Sequence, residues 1–113
     1  MAENPVRTLS PTVLHILLAL ADGAKHGYAI KQEAEIRSDG NVRLGPGTLY
    51  EAIQRLEDEG LIRETSGGAD PINGQEAQRR YYALTARGRR VLRDQIDRLG
   101  RLVDYARSKP ELA

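Results

Sequence analysis

The sequence predicts a mainly α-helical fold with one small β-hairpin and a long C-terminal helix. Three observations predict it. Periodic apolar positions mark three helices before Gly60, two short strands flank a turn-rich loop after that glycine, and a heptad-like seam runs through residues 86–108. This order is typical of a winged helix-turn-helix with a C-terminal dimerisation helix, and 113 residues fit one such domain.

The first two helices follow from their end signals. Ser10 and Pro11 open the first helix, because serine can cap the free amides and proline at the first position loses no needed donor. This helix is apolar nearly all round, so we expect burial on more than one side, with a second subunit as the cover. Gly23 interrupts the chain, and a second helix is predicted over about 26–37.

The third helix, over about 46–59, is the expected reader of a helix-turn-helix, whose second helix enters the major groove of DNA. The face opposite its inward apolar stripe is polar and offers groups that can bind DNA. The first-turn amides, the Thr48 hydroxyl and the Tyr50 phenol suit phosphate oxygens, whereas Gln54 suits adenine edges and Arg55 suits guanine edges or a phosphate. The alternative is a solvated amphipathic helix. The inward stripe is Leu49, Ile53 and Leu56.

Two short strands, 61–65 and 80–84, flank a polar loop over 66–78 that we interpret as the wing. This loop contains no Lys or Arg, so its tip is expected to add little favourable electrostatics. Arg63 and Arg79 stand at the wing base, where each can reach a phosphate.

The second strand leaves two alternatives open. Tyr82 and Leu84 share a face that favours packing, whereas Tyr81 lies on the other face and could pack or contact DNA. Arg80 lies on the Tyr82 side, where an ion pair with the acidic residues 57–59 competes with a phosphate contact.

Charge is segregated along the chain although the net charge is only +1. Residues 1–45 balance, residues 46–78 carry −5, and residues 79–113 carry +6. The basic part begins at the wing base, which favours an anionic partner there.

The last helix, capped by Thr85, predicts a homodimer. Its apolar positions alternate steps of four and three but cover only about two heptads, too short for a stable isolated coiled coil. We therefore expect it to pack against the first helix of a partner subunit. The predicted dimerisation residues are Leu14, Leu17, Leu92, Ile96, Leu99, Val103 and Ala106.

Composition argues against enzymes and membrane proteins. Cysteine is absent, and the two histidines lie apart, with His15 inside an apolar helix and His26 at a helix start, where capping or packing is the expected role. No metal-ligand cluster, nucleophile–base pair or phosphate loop is present, so no cofactor, metal or catalytic residue is predicted. The N-terminus lacks a signal peptide and the longest apolar run is too short for a membrane, which predicts a cytoplasmic protein.

Several motifs in order carry a family resemblance. His26-Gly27-Tyr28-Ala29-Ile30, Gly47-Thr48-Leu49-Tyr50, Arg55-Leu56-Glu57, Gly60-Leu61-Ile62, Arg80-Tyr81-Tyr82-Ala83-Leu84-Thr85 and Gly88 resemble the PadR family over about residues 9–107. With a single C-terminal helix, the chain resembles the short subfamily of this family. The resemblance implies a winged-helix transcriptional regulator, usually a repressor, that dimerises through the last helix. It also implies that the family approaches DNA at Tyr28, Gly47, Thr48, Tyr50 and Arg55, with Arg80 in the Arg-Tyr-Tyr strand. Tyr28 beside Ala29 could instead be a core residue.

These inferences define one expected architecture and two functions. Residues 9–85 form the winged-helix DNA-binding domain, 86–108 the dimerisation helix, and 1–8 and 109–113 are tails. The leading function is a repressor that binds double-stranded DNA at an inverted-repeat operator. The alternative is a winged-helix interaction module, favoured by the acidic middle segment. An effector is left open, although the lack of Trp and Phe argues against a site for flat drugs.

Overall fold

A computed structural model of the chain describes residues 8–66 and 80–112. Four helices run in order as α1 (Pro11–Ala19), α2 (Gly27–Arg37), α3 (Pro46–Asp58) and α4 (Ala86–Arg107), and a 3-10 turn, Pro110–Leu112, follows in the expected C-terminal tail. The strands are β1 (Lys25–His26), β2 (Ile62–Thr65) and β3 (Tyr81–Leu84). The mainly helical winged helix-turn-helix is confirmed. The expected wing residues 67–78 and Arg79 lie outside the described residues.

The helix ends follow local capping chemistry. Ser10 accepts from the Val13 amide at 3.2 Å, and Thr85 accepts from the Gly88 amide at 2.9 Å, so both predicted caps are confirmed. Gly60 stands after α3 with φ of 77°, a left-handed conformation that glycine adopts without strain.

The predicted hairpin of β2 and β3 is present, and a third strand, β1, extends it to a three-stranded sheet. Strand β3 lies in the centre and pairs antiparallel with β2 on one side and β1 on the other. Lys25 faces Tyr82 and His26 faces Tyr81 in this register. The two-residue strand β1 is too short to produce an alternating pattern in the sequence.

One aliphatic core joins α1, α2, α3, the sheet and the first half of α4. Seven of its side chains are almost fully buried: Ile16, Leu17, Ile30, Leu44, Ile53, Leu56 and Leu61. Buried Gln95 of α4 accepts the Leu9 amide at 3.1 Å, which ties α4 to the segment before α1. No helix in the described ranges is long and apolar enough to cross a membrane.

Two side chains hold the turn between α2 and α3. Ser38 accepts the Val42 amide at 2.8 Å, and Glu35 accepts the Leu44 amide at 3.3 Å. The pKa of Glu35 lies below its ordinary value. The main cause is the bond to Lys31, at 3.0 Å, and the second is the hydrogen bond from the Leu44 amide. These bonds fix the backbone of the segment that leads from α2 to α3.

Candidate nucleic-acid interface

The exposed face of α3 carries the side chains that the sequence predicts for DNA contact. Leu49, Ile53 and Leu56 are buried, as predicted. The exposed side carries Gly47, Thr48, Tyr50, Gln54 and Arg55. Gly45 stands at the N-cap before the helix, and no described side chain caps the first turn. Amides at such an end are free to donate to a phosphate oxygen.

The polar side chains Gln54 and Arg55 of α3 have different surroundings. Gln54 donates from Nε2 to Asp58 Oδ1 at 3.1 Å, so contact with a base edge would require this exposed bond to be exchanged. Arg55 lines a cavity of about 220 Å³ between α3 and the start of α1, together with Glu59.

Two tyrosines at neighbouring helix starts extend this surface. Tyr28, in the first turn of α2, is 56% exposed, and Tyr50, in the first turn of α3, is 53% exposed. Of the two alternatives for Tyr28, the structure therefore favours the surface position over the core. The Tyr50 ring lies against the backbone of Gly27, so the two helix starts are in contact through this side chain.

The base of the wing presents one exposed arginine and one paired arginine. Arg63 on β2 is exposed opposite Ala83 of β3. Arg80 is 71% exposed and lies 3.7 Å from Glu64. The expected ion pair with residues 57–59 is thus replaced by one with Glu64, because β2 runs directly beside the segment that leads into β3. A pair this exposed contributes little stability, so Arg80 can exchange it for a phosphate.

The tyrosines of β3 have different surroundings. Tyr82 and Leu84 are buried, as predicted for packing residues. Burial raises the pKa of Tyr82 above its ordinary value, while a hydrogen bond from Arg80 opposes the shift. Tyr81 is half-buried, and its ring meets His26 edge to face at a centroid distance of 5.4 Å. The structure thus favours packing for Tyr81.

The short strand β1 is the functional element that sequence reasoning missed. His26 Nδ1 accepts the Ala29 amide at 3.2 Å and so caps α2, as its position predicted. Lys25 donates one hydrogen bond to the Ala19 carbonyl and another to the Asp22 carboxylate. The second bond lowers the pKa of Asp22. This strand therefore joins the end of α1, the start of α2 and the wing strand β3. The motif His26-Gly27-Tyr28 was the one available signal.

The predicted dimerisation residues fall into two groups. Leu17 is 0% exposed and Leu92 is 4% exposed, and Leu14 is half-buried against the same core. For Leu17 and Leu92 the expected subunit contact is corrected, because the chain's own core covers them. Further along α4, an apolar stripe faces solvent and is completed by half-buried Ala106; its exposed members are Ile96, Leu99, Leu102 and Val103. Tyr105 is also exposed, but helical spacing places it to one side of this stripe.

The histidine and acidic side chains do not gather into a metal site in the part of the chain that the structure describes. No group of three His, Cys, Asp or Glu residues that could hold a metal occurs there. His15 is half-buried on α1, and its Nδ1 is buried with no hydrogen-bond partner among the described residues.

Comparisons with known proteins identify a family. Residues 16–94 match the transcriptional regulator PadR-like family. The chain is 40% identical over 87 residues to an uncharacterised 37.1 kDa protein of transposon TN4556 from Streptomyces fradiae, covering 77% of this chain and 22% of that protein. It is 38% identical over 79 residues to the transcriptional regulator Rv3488 of Mycobacterium tuberculosis, covering 70% and 66%. The chain thus spans less than two thirds of either relative.

Solved structures agree on the fold. A transcriptional regulator from Clostridium thermocellum is similar with a TM-score of 0.65 and 25% identity, over 88% of this chain and 89% of that one. A PadR family transcription regulator from Clostridium difficile gives a TM-score of 0.68 and 24% identity, over 88% and 97%. Since the family match covers well over half of the chain, this protein belongs to the PadR-like family of transcriptional regulators.

Proposed function

We propose that this protein is a cytoplasmic repressor that binds an inverted-repeat DNA operator as a homodimer. The observation that carries the proposal is the first turn of α3, where amides without a side-chain cap lie beside exposed Thr48 and Tyr50. A helix start of this kind attracts a phosphate through its free amides and its dipole. Exposed Arg55 follows about two turns later, where it can reach a base edge or the backbone.

Charge along the chain supports the same surface. Tyr28 flanks the α3 start, and exposed Arg63 and Arg80 continue the surface at the wing base. The basic segment from residue 79 onward carries +6. Exposed arginines on and near a groove-sized helix favour nucleic acid over a neutral protein partner.

The dimer part of the proposal is supported by α4. Its 22 residues make a helix about 33 Å long. Its buried residues, Gly88, Leu92 and Gln95, all lie in its first half. The second half therefore extends past the core with its apolar stripe uncovered, and a second copy of the helix is the simplest cover. A two-fold pair would set two α3 helices about one DNA turn apart.

DNA binding is tested with duplexes selected from the native genome and titrated across a salt series. Specific affinity that falls steeply with salt is expected, because phosphate contacts release counterions. Arg63→Ala should weaken binding and reduce the salt slope by about 0.9, the value for one phosphate contact. Arg37→Ala, at an exposed arginine at the end of α2 outside the basic segment, is the matched control and should leave the slope unchanged. Absence of binding at low salt would favour the interaction-module alternative.

Dimerisation is tested by light scattering. The molar mass measured for the wild type should be twice the 12.5 kDa mass of one chain. Leu102→Glu places a charge in the exposed stripe and should give a monomer, whereas Leu112→Glu, at an equally exposed leucine beyond α4, should not. A monomeric wild type at micromolar concentration would overturn the dimer. The cavity beside Arg55, about 220 Å³, is smaller than the roughly 300–1,000 Å³ usual for small-molecule sites, so no effector is proposed for that cavity.

A further inference from the structure

Gly27 is the first residue of α2 and lies beneath the ring of Tyr50. A Cβ atom placed on Gly27 would lie 3.1 Å from the Tyr50 hydroxyl oxygen and 3.4 Å from both Cε1 and Cζ. These three atoms are its nearest neighbours outside the adjoining residues. Gly27 is buried while Tyr50 remains 53% exposed, so the glycine forms the floor under one side of a surface ring.

The backbone at Gly27 is held in place from both sides. His26 Nδ1 accepts the Ala29 amide and so fixes the first turn of α2. The His26 ring packs edge to face on Tyr81, and β1 pairs with β3 at this point. A side chain added at Gly27 would therefore displace the Tyr50 ring, which is half-exposed, before it displaced the backbone.

We propose that Gly27 is a positioning residue that sets where the Tyr50 hydroxyl stands on the DNA-binding surface. Because the glycine has no side chain, the hydroxyl end of the ring can pack closely against the start of α2, which limits where the hydroxyl can stand. His26 and Gly27 thus link the start of α3 to the strand β3, because Gly27 contacts Tyr50 and His26 contacts Tyr81. The inference rests on the proposed DNA binding, and Gly27 acts through Tyr50 without touching DNA.

The packing is tested first in the DNA-free protein by nuclear magnetic resonance. Nuclear Overhauser contacts are expected between the α protons of Gly27 and the ring protons of Tyr50. Gly27→Ala should shift the Tyr50 ring resonances while leaving the urea unfolding curve nearly unchanged, since alanine is well tolerated in a helix. Gly100→Ala is the matched control, because no atom lies within 4 Å of a Cβ placed there. Missing contacts, or resonances unmoved by Gly27→Ala, would overturn the proposal.

The consequence for DNA is tested by a double-mutant cycle on the selected duplex. Gly27→Ala should weaken binding about 3- to 10-fold, the value of one misplaced hydrogen bond. In the Tyr50→Phe background, which lacks the atom nearest to the added methyl, the same change should have almost no effect. In a Thr48→Val background, which removes another exposed hydroxyl near the start of α3, the full weakening should persist.

The outcomes separate the two claims. An equal loss with and without the Tyr50 hydroxyl would overturn the positioning role, because Gly27 would then act on DNA through its own backbone. A wild type that binds no DNA would overturn the proposed function, and the resonance measurements would still decide whether Gly27 positions Tyr50.

Discussion

Replacing Gly88 with alanine is expected to force α4 away from the rest of the domain. A Cβ at Gly88 would overlap the carbonyl oxygen of Leu61 and lie 2.9 Å from its carbonyl carbon. The same carbonyl oxygen accepts the Thr85 amide at 3.1 Å, and the Gly88 amide donates to the Thr85 hydroxyl at 2.9 Å. The Leu61 atoms that the added Cβ would meet all belong to the backbone, so no side-chain rotation can relieve the clash.

The expected cost follows from what must separate. Forcing a methyl group into a packed site costs about 1–3 kcal/mol. Loss of the bond between Thr85 and Leu61 adds about 1 kcal/mol. The free energy of unfolding should therefore fall by about 2–4 kcal/mol, a large part of the roughly 5–15 kcal/mol typical of a folded protein. Urea unfolding followed by circular dichroism measures it, at one protein concentration because association would shift the curve.

Gly100→Ala provides the control in the same helix. No atom lies within 4 Å of a Cβ at Gly100, so the change should leave stability equal or raise it by up to about 1 kcal/mol through helix propensity. If Gly88→Ala unfolds at the same urea concentration as the wild type, the close approach of α4 to Leu61 is refuted. Since α4 carries the proposed dimer stripe, the variant should also lose specific DNA binding.

Three further predictions concern groups whose bonds or charge depend on the fold. His26→Ala removes the cap of α2 and should cost about 0.5–2 kcal/mol, whereas His26→Asn should restore most of it; equal stability of the two variants would contradict the cap. The folded pKa of Glu35 lies below 4.5 because of Lys31 and the Leu44 amide, so its stabilising contribution is present above pH 4.5 and is lost as the pH falls. Glu35→Gln should flatten the dependence of urea unfolding on pH in that acidic window, and parallel curves for variant and wild type would refute it. Burial raises the pKa of Tyr82 above 10.0, so its contribution is present below pH 10 and is lost as the pH rises. In an ultraviolet titration, Tyr82→Phe should remove the latest tyrosinate step, and loss of an early step would argue against this burial.

Local chemistry explains which elements could be predicted. Helix α3 was recognised because its apolar residues recur at helical spacing and Gly60 provides a left-handed stop. The caps Ser10 and Thr85 were recognised because a hydroxyl reaches amides only three residues away. Each of these signals lies within one turn of the chain, so no knowledge of distant segments is needed to read it.

Contacts between distant segments explain what could not be predicted. Leu17 fits the pattern of a subunit contact as well as that of a core residue, and only the packing of α1 shows that its own chain covers it. The ion pair of Arg80 goes to Glu64 because β2 and β3 are neighbours, although other acids are available in the sequence. A residue's partner depends on where another part of the chain passes, and periodicity carries no such information.

The sequence determined that this protein is a winged helix-turn-helix of the PadR-like family, because the order of its helices, stops and strands is set by local propensity. It also determined that Thr48 and Arg55, seven residues apart, share one side of α3, and that Tyr50 lies on another side of the same helix outside the buried stripe. The tertiary structure decided the third strand and the support of Tyr50 by Gly27. It also divided the apolar seam into covered and exposed parts. Those features depend on distances between segments far apart in the chain, which only the folded packing sets.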